Sequence, residues 1–175
     1  TLRFTRWLVP TARANPYWLA LGPDGRVWFT EFGAGKVGVL DPATGRISEY
    51  PVPGHRNPAG IAVDPHGVVW SATMQGCLLR LDPRTGRTRC FRIPEADDYG
   101  VATANDGTVW VGSLSGRGVY AFDPGSGRFR RHNLAVGGGP WWPVVGQHGQ
   151  VWVTLAADRG NGLAELASGA SGGGN

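Results

Sequence analysis

Asp24-Gly25-Arg26-Val27-Trp28 is the stretch that decides the fold, because it returns three more times along the chain. The other copies are His66-Gly67-Val68-Val69-Trp70, Asp106-Gly107-Thr108-Val109-Trp110 and His148-Gly149-Gln150-Val151-Trp152. The tryptophans lie 42, 40 and 42 residues apart. A period of about 40–45 residues is typical of the blades of a β-propeller. We expect the tryptophans to be structural, packed between adjacent sheets.

The second repeat shows the unit most clearly. A short apolar strand at residues 60–63 is followed by a turn and a second strand at 68–72. Two further strands, 77–81 and 87–93, flank the turn Asp82-Pro83-Arg84-Thr85-Gly86, in which Pro fixes φ and Gly tolerates positive φ. Four short strands joined by turns form one antiparallel meander, the unit of a propeller blade. The chain is therefore predicted to be an all-β propeller of four-stranded antiparallel blades.

The repeats divide the predicted propeller, residues 1–166, into four blade units. Their approximate bounds are 14–53, 54–95, 96–133 and 134–166. Residues 2–8 resemble a lone fourth strand, and the last unit supplies only three strands, so the two add up to one complete blade. We expect either a small closed ring or a fragment of a larger one. The Gly- and Ser-rich residues 167–175 are predicted to be a flexible tail or a loop.

Composition limits the classes of partner. Gly accounts for 29 and Pro for 13 of 175 residues, and they recur at fixed offsets as turn residues. Arginine carries the net charge of +4, since Lys36 is the only lysine. We interpret the arginine clusters as a solvated rim, because no nucleic-acid motif accompanies them. No apolar run approaches 18 residues. We therefore expect neither a nucleic acid nor a membrane as partner.

Three properties stay open at this point. Cys77 and Cys90 lie opposite each other across one predicted turn, so a disulfide between them is sterically plausible. Two cysteines say little about compartment, and the chain given has no signal peptide, so it is cytoplasmic or exported. The oligomeric state is not indicated.

The first repeat carries the resemblance to a known family. Residues 15–20 read NPYWLA and are followed by GPDGRVWFTE at 22–31, GKVGVLDP at 35–42 and TGRISEYPVP at 44–53. This pattern resembles the repeat of streptogramin B lyases, also called virginiamycin B lyases. Their repeat reads roughly P-Y-G-I, G-P-D-G-x-L-W-F-T-E, N-K-I-G-R-I and G-x-I-x-E-Y-P-L-P. The second repeat is similar, whereas the third and fourth have diverged further.

The resemblance implies a seven-bladed ring and an activity that confers antibiotic resistance. Family members that act as lyases open a cyclic depsipeptide antibiotic by elimination at its ester bond. They use a divalent metal, usually Mg²⁺, and an essential histidine that follows the proline of the P-Y-G-I position. The matching residues here, none of which is histidine, are Tyr17, Ala59, Tyr99 and Trp141.

Two functional hypotheses follow. In the first, the chain is part of such a carbon–oxygen lyase, and the histidine-bearing blades lie outside it. In the second, it is a non-catalytic propeller that binds a peptide, a sugar or a protein on its central face. The cofactor is unknown from the residues alone, because Mg²⁺ is implied only by the resemblance.

Ligands of a propeller usually meet the face formed by the loops that enter the first strand and leave the second. On this face we expect a small molecule or cyclic peptide to contact Tyr17, Trp18, Asn57, Asp97, Asp98, Tyr99, Trp141 and Trp142. The ends of the second strands should add Glu31, Thr73, Ser113 and Thr154. The alternative is that the aromatic side chains plug the narrow centre of the ring.

Three residues are candidates for acid–base chemistry. His55 lies in a loop on that face, His132 ends a fourth strand leading towards it, and Glu31 ends the W-F-T-E motif. Imidazole titrates near neutrality without assistance, which suits it to proton transfer. His66 and His148 occupy turns on the opposite face, so we give them no catalytic role. No zinc-type spacing and no Asp-rich calcium loop is present, so no metal ligand is predicted from a local motif. A site assembled across blades from Glu31, Asp97 or Asp98 stays open.

Overall fold

The computed structural model describes residues 2–54, 57–94, 98–114, 118–134, 139–156 and 162–166. Within these ranges every regular element is a β-strand, and no helix is long and apolar enough to cross a membrane. The strands are β1 (Pro16–Leu21), β2 (Val27–Glu31), β3 (Lys36–Leu40), β4 (Ile47–Pro51), β5 (Pro58–Val63), β6 (Val69–Thr73), β7 (Cys77–Asp82), β8 (Arg87–Arg92), β9 (Asp98–Thr103), β10 (Val109–Ser113), β11 (Gly118–Asp123), β12 (Arg128–Asn133), β13 (Gly139–Val145), β14 (Val151–Ala156) and β15 (Gly162–Leu166).

The strands form four antiparallel meanders, which we call blades one to four. Blades one to three have four strands each, in the orders β1-β2-β3-β4, β5-β6-β7-β8 and β9-β10-β11-β12. Within the described residues blade four has three strands, β13-β14-β15. The prediction of an all-β propeller with four blades is therefore confirmed.

The glycine of the recurring motif closes the turn between the first and second strands. Gly25, Gly67, Gly107 and Gly149 have φ values of 77, 81, 89 and 83°. This left-handed region costs an L-residue with a side chain steric strain, whereas glycine adopts it freely. The backbone of the turn therefore requires the glycine that made the repeat visible in the sequence.

Three apolar cores lie between consecutive blades. Trp28 packs in the core between blades one and two, and Trp70 in the core between blades two and three. A third core, around Val151 and Val153, joins blades three and four. The first strands contact one another in the order β1, β5, β9, β13, so they are the innermost strands. The bulk of the stability comes from this face-to-face burial of apolar surface.

Each of the first three repeat tryptophans also contacts a ring on the fourth strand of its own blade. The pairs and their centroid distances are Trp28–Tyr50 (5.9 Å), Trp70–Phe91 (6.3 Å) and Trp110–His132 (5.3 Å). His132 thus takes the place that an aromatic residue holds in the first two blades.

The fourth-strand ring lies over a turn glycine of the next blade. A Cβ added to that glycine would lie 3.6 Å from Tyr50 at Gly86, 3.8 Å from Phe91 at Gly127 and 3.3 Å from Trp7 at Gly45. Trp7 therefore occupies the position of a fourth-strand aromatic that precedes blade one. Residues 2–8, predicted to be a lone fourth strand, form no strand in the described structure. The reason is that no described third strand lies beside them to supply hydrogen bonds.

Both end faces of the four-blade array are uncovered. Leu19 of blade one is 63% exposed, whereas Ile61 at the same position of blade two is 3% exposed. Trp152 of blade four is 43% exposed, in contrast to 1% for Trp28. A ring closed between blades four and one would bury both faces. In the described residues the four blades therefore form an open arc, not the small closed ring that was one of the two expectations.

A disulfide joins Cys77 on β7 to Cys90 on β8, with the Cα atoms 5.6 Å apart. The bridge that the sequence left open is thus present. It links the third and fourth strands of blade two diagonally, since Leu79 is the residue that faces Cys90. The bond fixes the outer edge of this blade.

Candidate ligand-binding face

The first strand of every blade is irregular at the same point. Its register with the second strand shifts, which marks a β-bulge. The bulged pairs are Tyr17-Trp18, Ala59-Gly60, Tyr99-Gly100 and Trp141-Trp142. Bulges re-aim side chains and are over-represented next to active sites. All four lie at the start of an innermost strand, so they share one end of the arc, which we call the bulged face.

Aromatic side chains dominate the bulged face. The rings of Trp18 and Trp142 touch, with centroids 4.1 Å apart, which links blade one to blade four across the axis. Tyr17 and Trp141 are exposed, and Tyr17 lies 5.4 Å from Phe32 between ring centroids. Trp18 and Trp142 thus connect the end blades, and the rings of Trp18, Tyr17 and Trp141 are exposed to a similar degree.

Hydroxyl groups of two threonines hold the bulges of the end blades. Thr30 Oγ1 accepts the Trp18 N–H at 3.0 Å and donates to the Ala59 carbonyl at 3.0 Å. Thr154 Oγ1 accepts the Trp142 N–H at 3.1 Å. Thr154 was predicted on this face from the sequence, whereas Thr30 was not. The signal for Thr30 was available, because both threonines lie two residues after a repeat tryptophan.

Two glycines of blade three allow the backbone of the blade-four bulge to approach. A Cβ at Gly112 would lie 2.5 Å from the Trp141 carbonyl oxygen, and one at Gly100 would lie 2.8 Å from Trp142 Cα. Real Cβ atoms do not tolerate such distances. The position of the Trp141-Trp142 pair therefore depends on the absence of side chains at these two sites.

Glu31, one of the three acid–base candidates, is fully buried at the end of β2. Neither of its carboxyl oxygens has a hydrogen-bond partner among the described residues. Its side chain passes over Gly38, where a Cβ would lie 2.9 Å from Glu31 Oε1. Burial, and then the nearby carboxylate of Glu49, raise the pKa of Glu31 to about 7, although Lys36 opposes the shift. Glu31 thus lies inside blade one and is not presented on the bulged face.

Beside Glu31 lies a network that the sequence analysis missed. Lys36 Nζ is 3.0 Å from Glu49 Oε2, and Thr11 donates to both Glu49 oxygens through its N–H at 3.1 Å and its hydroxyl at 2.8 Å. Burial raises the pKa of Glu49, but the hydrogen bonds from Lys36 and Thr11 outweigh it and hold the pKa below its ordinary value. The network ties the segment before β1 to blade one.

The described residues do not fit a Mg²⁺ ion. No group of three or more His, Cys, Asp or Glu side chains among them is close enough to hold a metal. Glu31 and Glu49 interact with each other, but the Lys36 ammonium already neutralises Glu49. Magnesium requires near-octahedral oxygen ligands.

His132 lies on the outer strand β12, away from the innermost strands. Its Nε2 is buried and has no partner among the described residues. Burial, and then the charge of Arg130, lower the pKa of His132. With its ring against Trp110, His132 is placed as a packing residue of blade three.

Of the remaining predicted residues, some are described by the structure and the others lie outside the described residues. Asn57 donates from Nδ2 to the Phe32 carbonyl at 2.9 Å and exchanges two hydrogen bonds with Gln75, so it links the loops of blades one and two. Thr73 and Ser113 are buried at the ends of β6 and β10. Outside the described residues lie His55 and Asp97, and the side chains of Asp98 and Tyr99.

Comparison with known proteins identifies the repeat. The model of the virginiamycin B lyase family matches residues 2–81. A virginiamycin B lyase from Nocardia farcinica (strain IFM 10152) is 36% identical over 158 residues, which cover 87% of this chain and 51% of that protein. The chain is virginiamycin B lyase-like. It spans about half the length of this curated relative.

Solved structures show the same fold around the virginiamycin B lyase-like repeat. A streptogramin B lyase structure superposes with a TM-score of 0.81 at 23% identity, over 93% of this chain and 58% of that one. A catalytically inactive virginiamycin B lyase from Staphylococcus aureus with quinupristin gives a TM-score of 0.77 at 22% identity, over 90% and 57%. At these identities the likeness establishes the fold and not the activity.

Proposed function

We propose that this virginiamycin B lyase-like chain takes part in opening a cyclic depsipeptide antibiotic and that its bulged face binds the peptide ring. One observation carries the proposal. The bulge of each blade falls at the residue after the repeat proline or its counterpart, where the family resemblance places functional histidines. Tyr17 and Trp141 hold two of these positions and are exposed. Their rings offer apolar area with little loss of conformational entropy on binding.

The residues at the bulges do not supply the base for the proton transfer. An elimination at an ester needs a base that takes up a proton near neutral pH. Tyr17, Ala59, Tyr99 and Trp141 supply no such base at the bulges. We therefore assign recognition of the ring to this chain, and the acid–base step to histidine-bearing blades outside it.

The second candidate function is binding of a peptide, a sugar or a protein without any turnover. The observation that favours it is the contact between the rings of Trp18 and Trp142, which lies between the end blades. A surface of this kind suits a ligand that lies on the face rather than one that enters the axis.

Calorimetric titration of the purified chain with quinupristin tests the recognition. We expect saturable binding that Tyr17→Ala and Trp141→Ala each weaken about tenfold, the equivalent of about 1.4 kcal/mol. Leu21→Ala is the matched control, because Leu21 is exposed at the far end of β1, where it pairs with Val27, away from the bulge at Tyr17-Trp18. Absence of binding to the unmodified chain would overturn the proposal and leave the second candidate.

Product analysis tests the assignment of the acid–base step. The chain is incubated with quinupristin in a buffer containing Mg²⁺, and the antibiotic is then examined by chromatography and fragmentation, because elimination leaves its mass unchanged. We expect intact cyclic antibiotic. Linearised product formed by this chain alone would show that the base lies within residues 1–175, contrary to the assignment.

A further inference from the structure

The end of the arc opposite the bulged face carries the turns that join first and second strands, and we call it the turn face. Between blades three and four this face has a cleft of about 560 Å³. Its walls are residues 103–106 of blade three and residues 145–149 of blade four, with Trp110 beside them. The cleft lies between two neighbouring blades and borders neither of the uncovered end faces. Its size is within the range of about 300–1,000 Å³ that small-molecule sites occupy.

Two differences between the repeats leave this cleft open. Thr103 Oγ1 donates to the Val63 carbonyl at 3.3 Å and so joins the turns of blades two and three. Val145 has the same place in blade four and offers no hydroxyl group to the Thr103 carbonyl. The next repeat position is Asp64 in blade two, whose Oδ1 accepts two backbone N–H groups inside its turn, but it is Gly146 in blade four. Neither the hydroxyl bond nor the carboxylate side chain therefore closes the space between blades three and four.

The repeat tryptophan of blade three borders the cleft without the acceptor that its counterpart has in blade two. Trp70 is fully buried, and its Nε1 donates to Asp64 Oδ2 at 3.4 Å. In blade three the residue at the Asp64 position is Ala104, whose side chain accepts no hydrogen bond. Trp110 is half-buried and lines the cleft together with Ala104. A ligand in the cleft can therefore supply the acceptor that Asp64 supplies to Trp70.

Asp106 adds a carboxylate that its own turn does not neutralise. Its Oδ1 accepts the Thr108 N–H at 2.9 Å, as Asp24 Oδ1 accepts the Arg26 N–H at 3.1 Å in blade one. Arg26 also forms an ion pair with Asp24, since its Nε lies 2.8 Å from Asp24 Oδ2, whereas Thr108 carries no charge. Asp106 is exposed, so its second carboxyl oxygen can accept a hydrogen bond from a ligand.

The lining as a whole favours a neutral ligand rich in hydroxyl groups. Asn105, Gln147 and His148 are exposed at the cleft and both donate and accept hydrogen bonds. Among the described residues of the cleft, Asp106 is the one charged side chain when histidine is neutral, which disfavours an anion such as phosphate. A hydroxyl group accepts from an indole or amide N–H and donates to a carboxylate at the same time. We propose that this cleft binds a neutral saccharide, whose hydroxyl groups bond to Trp110 and Asp106.

Saturation-transfer difference NMR with neutral sugars tests the proposal. The purified chain is titrated separately with glucose, galactose, mannose, maltose and lactose. We expect saturable transfer to at least one of them, and transfer to none overturns the proposal. Quinupristin should leave the transfer unchanged, because the bulged face lies at the other end of the blades. Displacement of the sugar by quinupristin would contradict its placement in this cleft.

A matched pair of variants locates the bound sugar. Asp106→Asn keeps an oxygen for the Thr108 N–H and removes the charge, so it should weaken sugar binding about tenfold, a loss typical of one charge-assisted hydrogen bond. Asp24→Asn is the control, because Asp24 makes the same turn bond in blade one, away from the cleft. It should bind the sugar as the unmodified chain does. Equal affinities of the two variants would overturn the proposal.

A third variant fills the cleft with a residue that the repeat already accepts. Ala104→Asp gives blade three the aspartate that blade two carries at this position. The new carboxylate should accept the Trp110 indole N–H, as Asp64 does for Trp70, and abolish sugar binding with an unchanged circular dichroism spectrum. Undiminished binding to A104D would mean that the sugar lies elsewhere, contrary to the proposal.

Discussion

Cys77 is bonded to Cys90 at the two blade positions that Lys36 and Glu49 occupy in blade one. In both blades the linked residues are diagonal neighbours on the third and fourth strands, two register steps apart. Blades one and two therefore join their outer strands at the same point, blade one by an ion pair and blade two by a covalent bond. The ion pair is partly exposed, and such pairs contribute little to stability. The disulfide is the stronger of the two links.

Removal of this disulfide should destabilise the protein measurably. The bond closes a loop with a sequence separation of 13 residues. A loop of this size corresponds to about 3 kcal/mol of stabilisation in the chain-entropy view. We expect urea denaturation of C77A/C90A to show a loss of this order. Dithiothreitol should lower the stability of the unmodified protein and leave that of the variant unchanged. A loss of stability in both proteins would mean that dithiothreitol acts at a site other than the Cys77–Cys90 bond.

The buried carboxyl of Glu31 should make stability fall as pH rises. In the folded protein Glu31 keeps its proton up to about pH 7, whereas its ordinary pKa is 4.5. Between these values the unfolded chain releases the proton first, so the free energy of unfolding decreases with pH. Glu31→Gln removes this dependence and should stabilise the protein at pH 8 by up to about 3 kcal/mol.

Urea denaturation at pH 5 and pH 8 checks the effect of Glu31. Glu165→Gln is the matched control, because Glu165 is exposed on β15. It should shift the free energy of unfolding equally at both pH values. A Glu31→Gln variant that is less stable than the unmodified protein at pH 8 would contradict the expectation.

His132 should make the stability fall as pH decreases, which is the opposite of the effect of Glu31. Because its pKa is lowered in the folded state, the unfolded chain takes up the proton first as pH falls below about 6.5, and stability is lost on the acid side. His132→Phe keeps a ring against Trp110 and removes a buried nitrogen without a partner. We expect a gain of about 1 kcal/mol at pH 7 and a weaker loss on acidification.

Thermal unfolding between pH 5 and pH 7 measures this difference. His66→Ala is the control, since His66 is exposed in a turn and its removal should leave the pH dependence in place. If His132→Phe unfolds with the same pH dependence as the unmodified protein, another group is responsible for the acid loss.

The two threonines that hold the bulges should differ in importance. Thr30 is fully buried and forms hydrogen bonds to both Trp18 and Ala59. Thr30→Val therefore leaves the Trp18 N–H and the Ala59 carbonyl without these partners. We expect a loss of about 2 kcal/mol. Thr154 is exposed, so water can replace its bond to Trp142, and Thr154→Val should cost under about 1 kcal/mol. Equal losses in urea denaturation would show that the burial of Thr30 and its second hydrogen bond do not matter.

Sequence reasoning recovered the fold because backbone geometry dictates the repeated residues. Gly67 marks a turn that needs positive φ, and Trp70 marks the buried strand that follows. The third strand of blade two was predicted at residues 77–81 and is found at Cys77–Asp82. Local requirements of this kind recur with the period of the blade and are readable without any tertiary information.

The candidate site was less accessible to the same reasoning. A bulge is a property of two paired strands, so residues 17–18 alone give no sign of it. Glu31 was expected on the ligand face, but its side chain is buried over Gly38, because the alternation of a strand does not reveal which neighbour covers each face. The place of Trp7 in the repeat, equivalent to Tyr50 and Phe91, can be read from the sequence. That Trp7 packs as a fourth-strand aromatic is shown only by its contact with Gly45.

The bulge also bears on how proteins of this type change over time. Residues 17–18 and their three counterparts lie outside the cross-strand register, whereas the tryptophans and turn glycines within it hold the blades together. A mutation at the exposed Tyr17 or Trp141 therefore alters the chemistry of the face at little expense to folding, whereas Ala59 is buried and a side chain at Gly100 would meet the backbone of blade four. The chemistry of the bulged face can therefore change at Tyr17 and Trp141 while the apolar cores between the blades stay intact.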